Sequence, residues 1–541
     1  MKRMIYLLVL FFCSLNASAQ PAEPMRMYTD KDCYLAGEKL WIKISLDENA
    51  SPENLMSRVA YVEIGDTAQI HAQGKIDLQN GNGWACIQLP TTMHSGIYQL
   101  MAYTRYMRNW GTDCFPRKYL AVINARTHGE NDKLKADKDL ILSANEQDAF
   151  TESLLKSDRL SYPTRNKVTL KWDTQLSKAK ELTLTVVRKD CQVQLPQAIH
   201  STLPTSVPNE KWIAECEGHI VTAQPRNKNT HFPIDLSAQM GCVGKEIKVF
   251  EGWRKENDHF VFYTNGVVNQ QDIVLASHNT EDVPCQLDVV SPFVEQLPES
   301  LPNLHCQYHE GALTDRSVAL QINQAMPLGR KTLQMVDILF GQKPYKTYNL
   351  DEYVRFNTVQ ECITEFVMGI AVDKENNRKV IRQLQENSKD YNMFPVLVLI
   401  DGVPFHNHEE VINYSARQIQ YIHQYRSNYT LGEKIFGGIL SLVTHSGNLP
   451  DIRIGENMQM VAYEFPQSFP TFDLPQYPTE EEKQSRKPDF RHTLYWNPCV
   501  TGTSELEFYT SDMEGIYVAK LQGVLSNGQK INEECTFIVE R

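Results

Sequence analysis

Short runs of alternating apolar and polar residues, separated by turn signals, dominate residues 25–125. Leu40, Ile42 and Ile44 are each followed by a polar or amphipathic residue, and Asn80-Gly81-Asn82-Gly83 is a strong hairpin signal. Because successive side chains of a strand point to opposite faces, each run can bury only one of its faces. Strands of this length and spacing predict a β-sandwich. Further strands are predicted from 59, at 84–89 and at 97–103.

The chain is long enough for several domains, and it is acidic. Its 541 residues predict several domains at about 100–200 residues each. The formal net charge of -12 disfavours binding to phosphate backbones. We therefore expect no nucleic acid among its partners.

The first segment has the three parts of a secretory signal peptide. Lys2 and Arg3 form a positively charged start, residues 4–12 are apolar, and Ala17-Ser18-Ala19 is a cleavage motif. We expect cleavage after Ala19, which makes Gln20 the mature N-terminus of an exported protein.

A lipid anchor and a membrane span are the alternatives to a free exported chain. A lipoprotein would use Cys13 as its acceptor, but the bulky residues 10–12 before it do not suit a lipobox. The longest later apolar run, residues 394–400, is far shorter than the ~18 residues that cross a bilayer. This run predicts a buried strand, and we expect no transmembrane segment in the mature chain.

The cysteines are scattered singly along the chain. Of the 12 cysteines, only Cys13 precedes the predicted cleavage site, so an odd number remains and at least one thiol stays free or bridges two chains. No C-x-x-C pair occurs, which argues against a structural zinc site. Buried free thiols are the favoured interpretation, and a pair such as Cys33 with Cys114 stays open. The other mature cysteines are Cys86, Cys191, Cys216, Cys242, Cys285, Cys306, Cys362, Cys499 and Cys535.

The first sandwich resembles a macroglobulin-like domain. The resemblance rests on YTDKDCYLAGEKL at 28–40, GWACIQLP at 83–90 and SGIYQLMAYT at 95–104. It implies a β-sandwich fold. Macroglobulin protease traps carry a thioester built from C-G-E-Q, and no cysteine here has that continuation, so covalent trapping is not expected.

A second opening of the same kind lies at 159–170, RLSYPTRNKVTL, and continues to 187 without closing strands. The tail from 488 to 541 has the rhythm of closing strands without an opening. Each half is too short to bury a core by itself. We predict that they pair into one sandwich with the intervening blocks inserted, since the ends of an insertion usually lie close together. The rival prediction makes the tail a separate small domain.

Two blocks lie between these halves. Residues 217–221 with strands near 247, 260 and 273 loosely resemble a carboxypeptidase-regulatory-like β-sandwich. From 346 the pattern becomes mixed α/β, with a helix that carries Val359 and Ile363 on one face and another helix from Val411.

The α/β block resembles the plug domain of TonB-dependent outer-membrane receptors. The resemblance rests on PVLVLIDGVP at 395–404 and FGGILSLVT at 436–444. In that family a large transmembrane barrel follows the plug, and it needs far more chain than follows Thr444. We therefore expect a plug-like domain that lacks the barrel, and no uptake through this chain alone.

The predicted fold class is mainly β, with several macroglobulin- or immunoglobulin-like β-sandwiches and one small α/β plug-like domain. The predicted segments are a signal peptide at 1–19, a macroglobulin-like sandwich at 20–125, a linker at 126–156, the first half of a second sandwich at 157–210, a regulatory-like sandwich at 211–290, an irregular connector at 291–345, the plug-like domain at 346–450, a Pro-rich linker at 451–487 and the closing strands at 488–541.

His406 and His408 are the weak candidates for a metal site. On a strand, His-x-His places both rings on one face, and carboxylates lie next to them in HNHEE at 406–410. A zinc site also needs a third ligand and a supporting shell, and H-E-x-x-H is absent. A polar loop after Gly402 is the favoured interpretation. We expect no cofactor and no catalytic residues.

Two further patterns are weaker. Residues 153–156 fit S-x-x-K, but the companion motifs of penicillin-binding enzymes are missing. Asp30, Asp32, Glu63 and Asp66 form a conceivable calcium set, although solvated charges are the favoured interpretation.

Three functional hypotheses follow. The first is a non-enzymatic protein of a Gram-negative cell envelope that binds other proteins, in the periplasm or at the outer membrane. The second is an accessory component of a TonB-dependent transport system, which docks to a separate outer-membrane receptor or barrel. The third, a metal-dependent hydrolase at His406 and His408, is the least favoured.

Overall fold

The chain is mainly β and forms two compact units. The computed structural model describes residues 23–46, 56–124, 133–137 (backbone only), 154–176, 179, 181–201, 211–226, 233–279, 283–309, 311–326, 343–375, 378–432, 434–500, 502–525 and 527–541. Unit 1 comprises the described parts of Met1–Cys216, Glu295–Arg330 and Gln467–Arg541, and unit 2 those of Glu217–Val294 and Lys331–Pro466. The predicted signal peptide, Cys13, Gln20 and Ser153 lie outside the described residues.

Unit 1 begins with a sandwich of a three-stranded and a five-stranded sheet. In the order of pairing, the first sheet contains Met25–Thr29, Lys39–Leu46 and Asn82–Gln88, and the second contains Cys33–Leu35, Arg117–Ile123, Gly96–Thr104, Val59–Gly65 and Ile70–Asp77. Leu40, Ile42 and Ile44 are fully buried, as their alternation predicts. Asn80 and Gly81 both have positive φ, as the type I′ hairpin of this sequence requires.

A second sandwich of unit 1 repeats this strand order. Its sheets contain Leu155–Ser157, Lys167–Trp172 and Glu505–Tyr509, and then Ser161–Pro163, Lys530–Glu540, Gly515–Val524, Glu181–Arg188 and Thr493–Asn497. Strand Glu181–Arg188 pairs on both sides with strands of the tail. The fourth and fifth strands of this sandwich are separated by an insertion, whereas a short turn joins their counterparts in the first sandwich.

The two openings share a hydrogen-bonded brace between a tyrosine and an aspartate. The Tyr34 hydroxyl donates to Asp30 Oδ1 at 2.7 Å, and the Tyr162 hydroxyl donates to Asp158 Oδ1 at 2.5 Å. In each case the same oxygen also accepts a backbone N–H from the residue eleven positions after the aspartate. The second opening is therefore an internal repeat of the first in side-chain chemistry as well as in strand order.

The predicted irregular connector at 291–345 is wrong for its described part. It contains the strand His305–His309 and the helix Ala312–Ala325. The strand pairs with Cys191–Val193 and, in parallel, with Lys133–Asp137, so the predicted linker at 126–156 also contributes a strand. The helix was missed because it buries the charged Arg316 among small residues, and this weakens the apolar stripe that marks a helix.

Unit 2 contains a seven-stranded sheet. Its strands, in the order of pairing, are Leu287–Val289, Gly218–Pro225, Phe260–Asn265, Val249–Arg254, Ser237–Cys242, Gln271–His278 and Met458–Glu464. The last strand belongs to the predicted Pro-rich linker at 451–487, so that prediction is wrong here. Most of its side chains are partly exposed. Backbone pairing with Gln271–His278, and not burial of its side chains, holds this strand in place.

Unit 2 also contains a five-stranded α/β part. Its strands, in the order of pairing, are Lys346–Asn349, Ile419–Tyr425, Ile439–Thr444, Leu397–Ile400 and Val403–Phe405. The helix predicted from Val411 begins earlier, at His408, because the Asn407 side chain accepts from the Glu409 N–H and caps it. The remaining elements of this part are the helices Val359–Glu365 and His408–Ile412, the 3-10 helices Leu350–Glu352 and Ala416–Gln418, and the hairpins Ile370–Glu375 with Arg378–Gln383 and Tyr429–Leu431 with Lys434–Phe436.

The described residues of unit 1 contain few helical elements. These are the 3-10 helices Tyr106–Trp110 and Thr112–Cys114, and the α-helices Ala312–Ala325 and Glu480–Lys483. Across the described part of the chain, no helix combines the length and the apolar character that crossing a membrane requires.

Replacement of Leu399 by Asp should unfold the α/β part of unit 2. Leu399 is fully buried on a strand between Ile439–Thr444 and Val403–Phe405. An unpaired carboxylate there costs several kcal/mol. Limited proteolysis should then cut within 346–450, whereas the control Met393→Asp, at a side chain that is 75% exposed, should leave the digest unchanged. A Leu399→Asp digest identical to that of the unmodified chain would contradict this prediction.

Candidate functional site

An open sheet edge in unit 2 is the candidate interaction site. Strand Lys346–Asn349 pairs with Ile419–Tyr425 on one side, and no other described strand pairs with its opposite side. Such an edge presents unpaired backbone N–H and C=O groups to another chain. Four apolar side chains near this edge have large exposed fractions: Tyr345 (58%), Tyr353 (38%), Val354 (81%) and Met368 (67%). We call these four residues the edge patch.

The buried residue Tyr348 contacts and supports the edge patch. This buried side chain accepts the Met368 N–H at its hydroxyl, at 2.9 Å, and its ring centroid lies 6.4 Å from that of Tyr353. Arg426 lies 4.0 Å from the centroid of the Tyr345 ring and donates to the Met368 carbonyl at 3.2 Å. The edge patch is therefore a supported apolar surface beside a strand whose outer side pairs with no described strand, the combination with which a sheet edge accepts an extended peptide.

Unit 1 contains a buried charge cluster, which we call the Arg316 network. Arg316, on helix Ala312–Ala325, is 1% exposed and donates through Nε and Nη2 to the two carboxylate oxygens of Glu38, each at 2.7 Å. Its Nη1 donates to Asp190 Oδ1 at 3.3 Å. The Nε2 atom of His492 lies 2.9 Å from the other oxygen of Asp190. The network thus joins the first sandwich, the helix, the end of a strand of the second sandwich and the tail.

Charge pairing outweighs burial at the two carboxylates of this network, Glu38 and Asp190. Burial raises the pKa of Glu38, but Arg316 and Lys31 act more strongly together and hold that pKa far below its usual range. Asp190 behaves in the same way beside Arg316 and His492. Burial and the charge of Arg316 lower the pKa of His492 to about 4, so this ring is neutral at pH 7. Each carboxylate stays ionised only while it is paired with a cation. We therefore assign the network a role in stability, where it joins separate segments of unit 1.

The structure gives His406 and His408 different partners. His406 follows the end of strand Val403–Phe405, and its ring stacks on His278 with centroids 4.9 Å apart. His408 begins a helix, and its Nδ1 accepts the Ile381 N–H at 2.9 Å. The two rings therefore do not lie on one strand, as the His-x-His prediction assumes. No group of three or more His, Cys, Asp or Glu side chains among the described residues is arranged to hold a metal ion.

The stability of unit 2 should fall as the pH falls below about 6.5. Burial lowers the pKa of His406 to about 3 and that of His408 to about 4. In the unfolded chain both rings take up protons near pH 6.5, so acid favours unfolding with a slope of about 1.4 kcal/mol per pH unit for each histidine. This slope can be measured by urea unfolding at several pH values between 7 and 4, with hydrogen exchange of unit 2 peptides as the readout. His406→Asn should reduce the slope. An unchanged slope would show that His406 does not contribute to the pH dependence of stability.

The other predicted sites are not assembled either. The four residues of the conceivable calcium set each have a partner of their own: Tyr34 for Asp30, Lys118 for Asp32, Tyr103 for Glu63 and His71 for Asp66. Ser153 of the S-x-x-K pattern lies outside the described residues.

The pairing of Cys33 with Cys114 is wrong. Both thiols are free, and Cys114 Sγ donates to the Gly111 carbonyl at 3.0 Å. Cys33 instead lies in a cluster with Cys191 and Cys306.

Sequence reasoning missed both the edge patch and the Arg316 network. The edge patch left a readable signal, since YKTYNLDEYV at 345–354 contains three tyrosines in an otherwise polar segment. The network left none, because its charged residues look like ordinary surface residues in the sequence.

Comparisons with known proteins give remote structural similarity only. No family model matches the chain, and no curated protein sequence matches it. Salmonella alpha-2-macroglobulin reacted with methylamine aligns at 9% identity over 97% of this chain and 24% of that chain, with a TM-score of 0.17. The native conformation of E. coli alpha-2-macroglobulin aligns at 10% identity over 97% and 40% of the two chains, with a TM-score of 0.23.

An adhesin shows similarity at the same level. FdeC of Escherichia coli aligns at 10% identity over 53% of this chain and 65% of that chain, with a TM-score of 0.16. The chain thus spans less than two thirds of the length of each of these three proteins. At such TM-scores the strand order described above, and not the similarity, defines this fold: a mainly β chain of sandwiches with one α/β part.

Proposed function

We propose that this protein is an exported, non-enzymatic component of a Gram-negative cell envelope that binds other proteins, in the periplasm or at the outer membrane. The observation that carries the proposal is the open edge of strand Lys346–Asn349 with the edge patch beside it. Export is supported by the signal-peptide pattern at 1–19. The macroglobulin-like assignment is supported by the two sandwiches of identical strand order.

The edge suits an extended segment of a partner protein. Such a segment would add a strand beside Lys346–Asn349 and place apolar side chains against Tyr345 and Met368. Arg426, beside both residues, offers a cation to an acidic side chain of the partner.

An accessory role in TonB-dependent transport is the second candidate. The two sequence stretches that resemble a plug domain form neighbouring parallel strands, Leu397–Ile400 and Ile439–Thr444, in one sheet. This pairing supports the plug-like assignment of the α/β part. In this accessory role, the partner of the protein is a separate outer-membrane receptor.

Photo-crosslinking in living cells tests the binding proposal. A photoreactive residue at Val354 should give defined crosslinked products, and mass spectrometry should identify their partner chains. The matched control is the same residue at Glu256, an exposed polar position of unit 2. A receptor among the products would favour the second candidate, and another envelope protein the first. Equal products from both positions, or none from Val354, would contradict the proposed site.

Variants of the edge patch provide a second measurement. Val354→Asp together with Met368→Gln should reduce the crosslinked products from a reporter at Tyr345 at least tenfold. Both side chains are exposed, so the fold should tolerate these changes. Export has its own test, since mass spectrometry of the envelope protein should find Gln20 at the N-terminus. An acylated Cys13 would contradict the predicted cleavage.

A further inference from the structure

Three cysteine side chains of unit 1 lie in one cluster. Cys33 lies on Cys33–Leu35 of the first sandwich, and Cys191 and Cys306 lie on the paired strands Cys191–Val193 and His305–His309. All three belong to one apolar cluster, and each side chain is near enough to the other two to shift their pKa values. Neighbouring thiols of one cluster can approach to the ~2.05 Å of a disulfide bond with a limited movement.

The thiols differ in access. Cys33 and Cys306 are 7% and 2% exposed, whereas Cys191 is only partly buried. Cys33 and Cys191 both line a cavity of about 280 Å³, and Cys306 does not. Both cationic and acidic side chains line this cavity, among them Lys189, Lys520, Asp32 and Glu534.

The strand register decides which two thiols suit a bond. Cys306 lies opposite Val193, and Cys191 lies opposite Tyr308, so the two cysteines are diagonal neighbours on adjacent strands. Diagonal neighbours have Cα atoms about 7–8 Å apart, beyond the usual disulfide range of about 4.4–6.8 Å. Cys33 comes from a different sheet and belongs to the same cluster as Cys191, so this register restriction does not apply to that pair.

We infer that Cys33 and Cys191 form a disulfide bond when the chain folds in an oxidising compartment, and that Cys306 stays a thiol. The inference rests on the export that we propose above, because disulfides persist in such compartments. The bond would link the first sandwich to the residue after Asp190 and so hold Asp190 beside Arg316.

The oxidation is a thiol–disulfide exchange. The Cys191 thiolate attacks one sulfur of a disulfide donor, forms a mixed disulfide and releases one donor thiolate. The Cys33 thiolate then attacks the Cys191 sulfur, which forms the Cys33–Cys191 bond and releases the second donor thiolate. The two cysteines lose two protons and two electrons, and the donor disulfide is reduced to two thiols.

Folding is the expected time for this exchange. The contacts among the three side chains and their burial raise the pKa of all three thiols, so each is protonated once it is packed. Before the sheets close, the thiols have ordinary acidity and react with a donor. The strand register, and not acidity, therefore selects Cys33 and Cys191 over Cys306.

Peptide mapping of the purified mature chain tests the inference. The chain is refolded with oxidised glutathione, blocked with an alkylating reagent and digested without reduction, in a background where the exposed Cys216 and Cys499 are serine. We expect a linked Cys33–Cys191 peptide, an alkylated Cys306 and a Tm several degrees above that of the reduced chain. The Tm increase should vanish on reduction.

Three variants serve as matched controls. Cys33→Ser and Cys191→Ser should each abolish both the linked peptide and the Tm increase, whereas Cys306→Ser should keep both. Cys191 is only partly buried, so its variant should fold even if Cys33→Ser does not.

Three results would overturn the inference: no linked peptide, a link that contains Cys306, or a metal ion that copurifies with the three thiols. Because the test uses purified protein, its failure leaves export and partner binding untouched. Failed signal-peptide cleavage in cells would, in turn, leave the chemical result intact.

Discussion

Arg316→Met should lower the free energy of unfolding of unit 1 by about 3–5 kcal/mol. The change keeps the aliphatic bulk of the side chain but removes the cation that pairs with Glu38 and Asp190. Both carboxylates are at least nine-tenths buried. Glu38 would keep only Lys31 as a cation and Asp190 only the neutral ring of His492, so each would hold a poorly compensated buried charge or would have to take up a proton. Urea unfolding followed by fluorescence suits this measurement, because every tryptophan except Trp253 belongs to unit 1.

The control for Arg316 is an exposed ion pair in the same unit. Lys167 contacts Glu507 at 2.9 Å with both side chains about half exposed, so Lys167→Met should leave the unfolding midpoint unchanged. A triple variant, Arg316→Met with Glu38→Gln and Asp190→Asn, should recover much of the lost stability, since it removes the buried charges together. If Arg316→Met unfolds at the same urea concentration as the unmodified chain, the network does not stabilise the fold.

Removal of residues 488–541 should unfold the second sandwich. The tail contributes Thr493–Asn497 and Gly515–Val524, the strands on either side of Glu181–Arg188. It also contributes half of the buried residues in the core of this sandwich. The remaining strands bury too little apolar surface to fold alone. Hydrogen exchange should therefore show peptides of 181–188 exchanging at the rate of an unfolded chain.

Two controls make this truncation specific. Peptides of Val59–Gly65, in the first sandwich, should keep their protection because both of their neighbouring strands remain. A separately produced fragment of residues 488–541, added to the truncated chain, should restore protection at 181–188. Protection of 181–188 without the tail would show that the two segments do not form one core.

The extent of sequence prediction differs between the two sandwiches. In the first, the strands at 39–46, 82–88 and 96–104 were readable because apolar alternation and turn residues act within a few positions of each other. In the second, the rhythm of the two halves was readable, but the register was not. The pairing of Lys167–Trp172 with Glu505–Tyr509 depends on chain segments that lie far apart in sequence.

The strand Met458–Glu464 and the helix Ala312–Ala325 show where local patterns fail. The strand lies at the edge of a sheet with most side chains partly exposed, so it needs no alternation to be stable. The helix buries a charge that only its partners make tolerable. Neither element carries the apolar period by which sequence analysis finds strands and helices.

By itself, the sequence determined the β-rich fold class, the internal repeat of the sandwich openings and the position of the buried strand at 397–400. These properties depend on residues that are close in the chain, and burial of an apolar face is decided locally by alternation. Three features form only in the tertiary structure: the Arg316 network, the cluster of Cys33, Cys191 and Cys306, and the edge patch. Arg316 and Glu38 are 278 positions apart, and a charge at that separation becomes a buried ion pair only when the fold removes water from both partners.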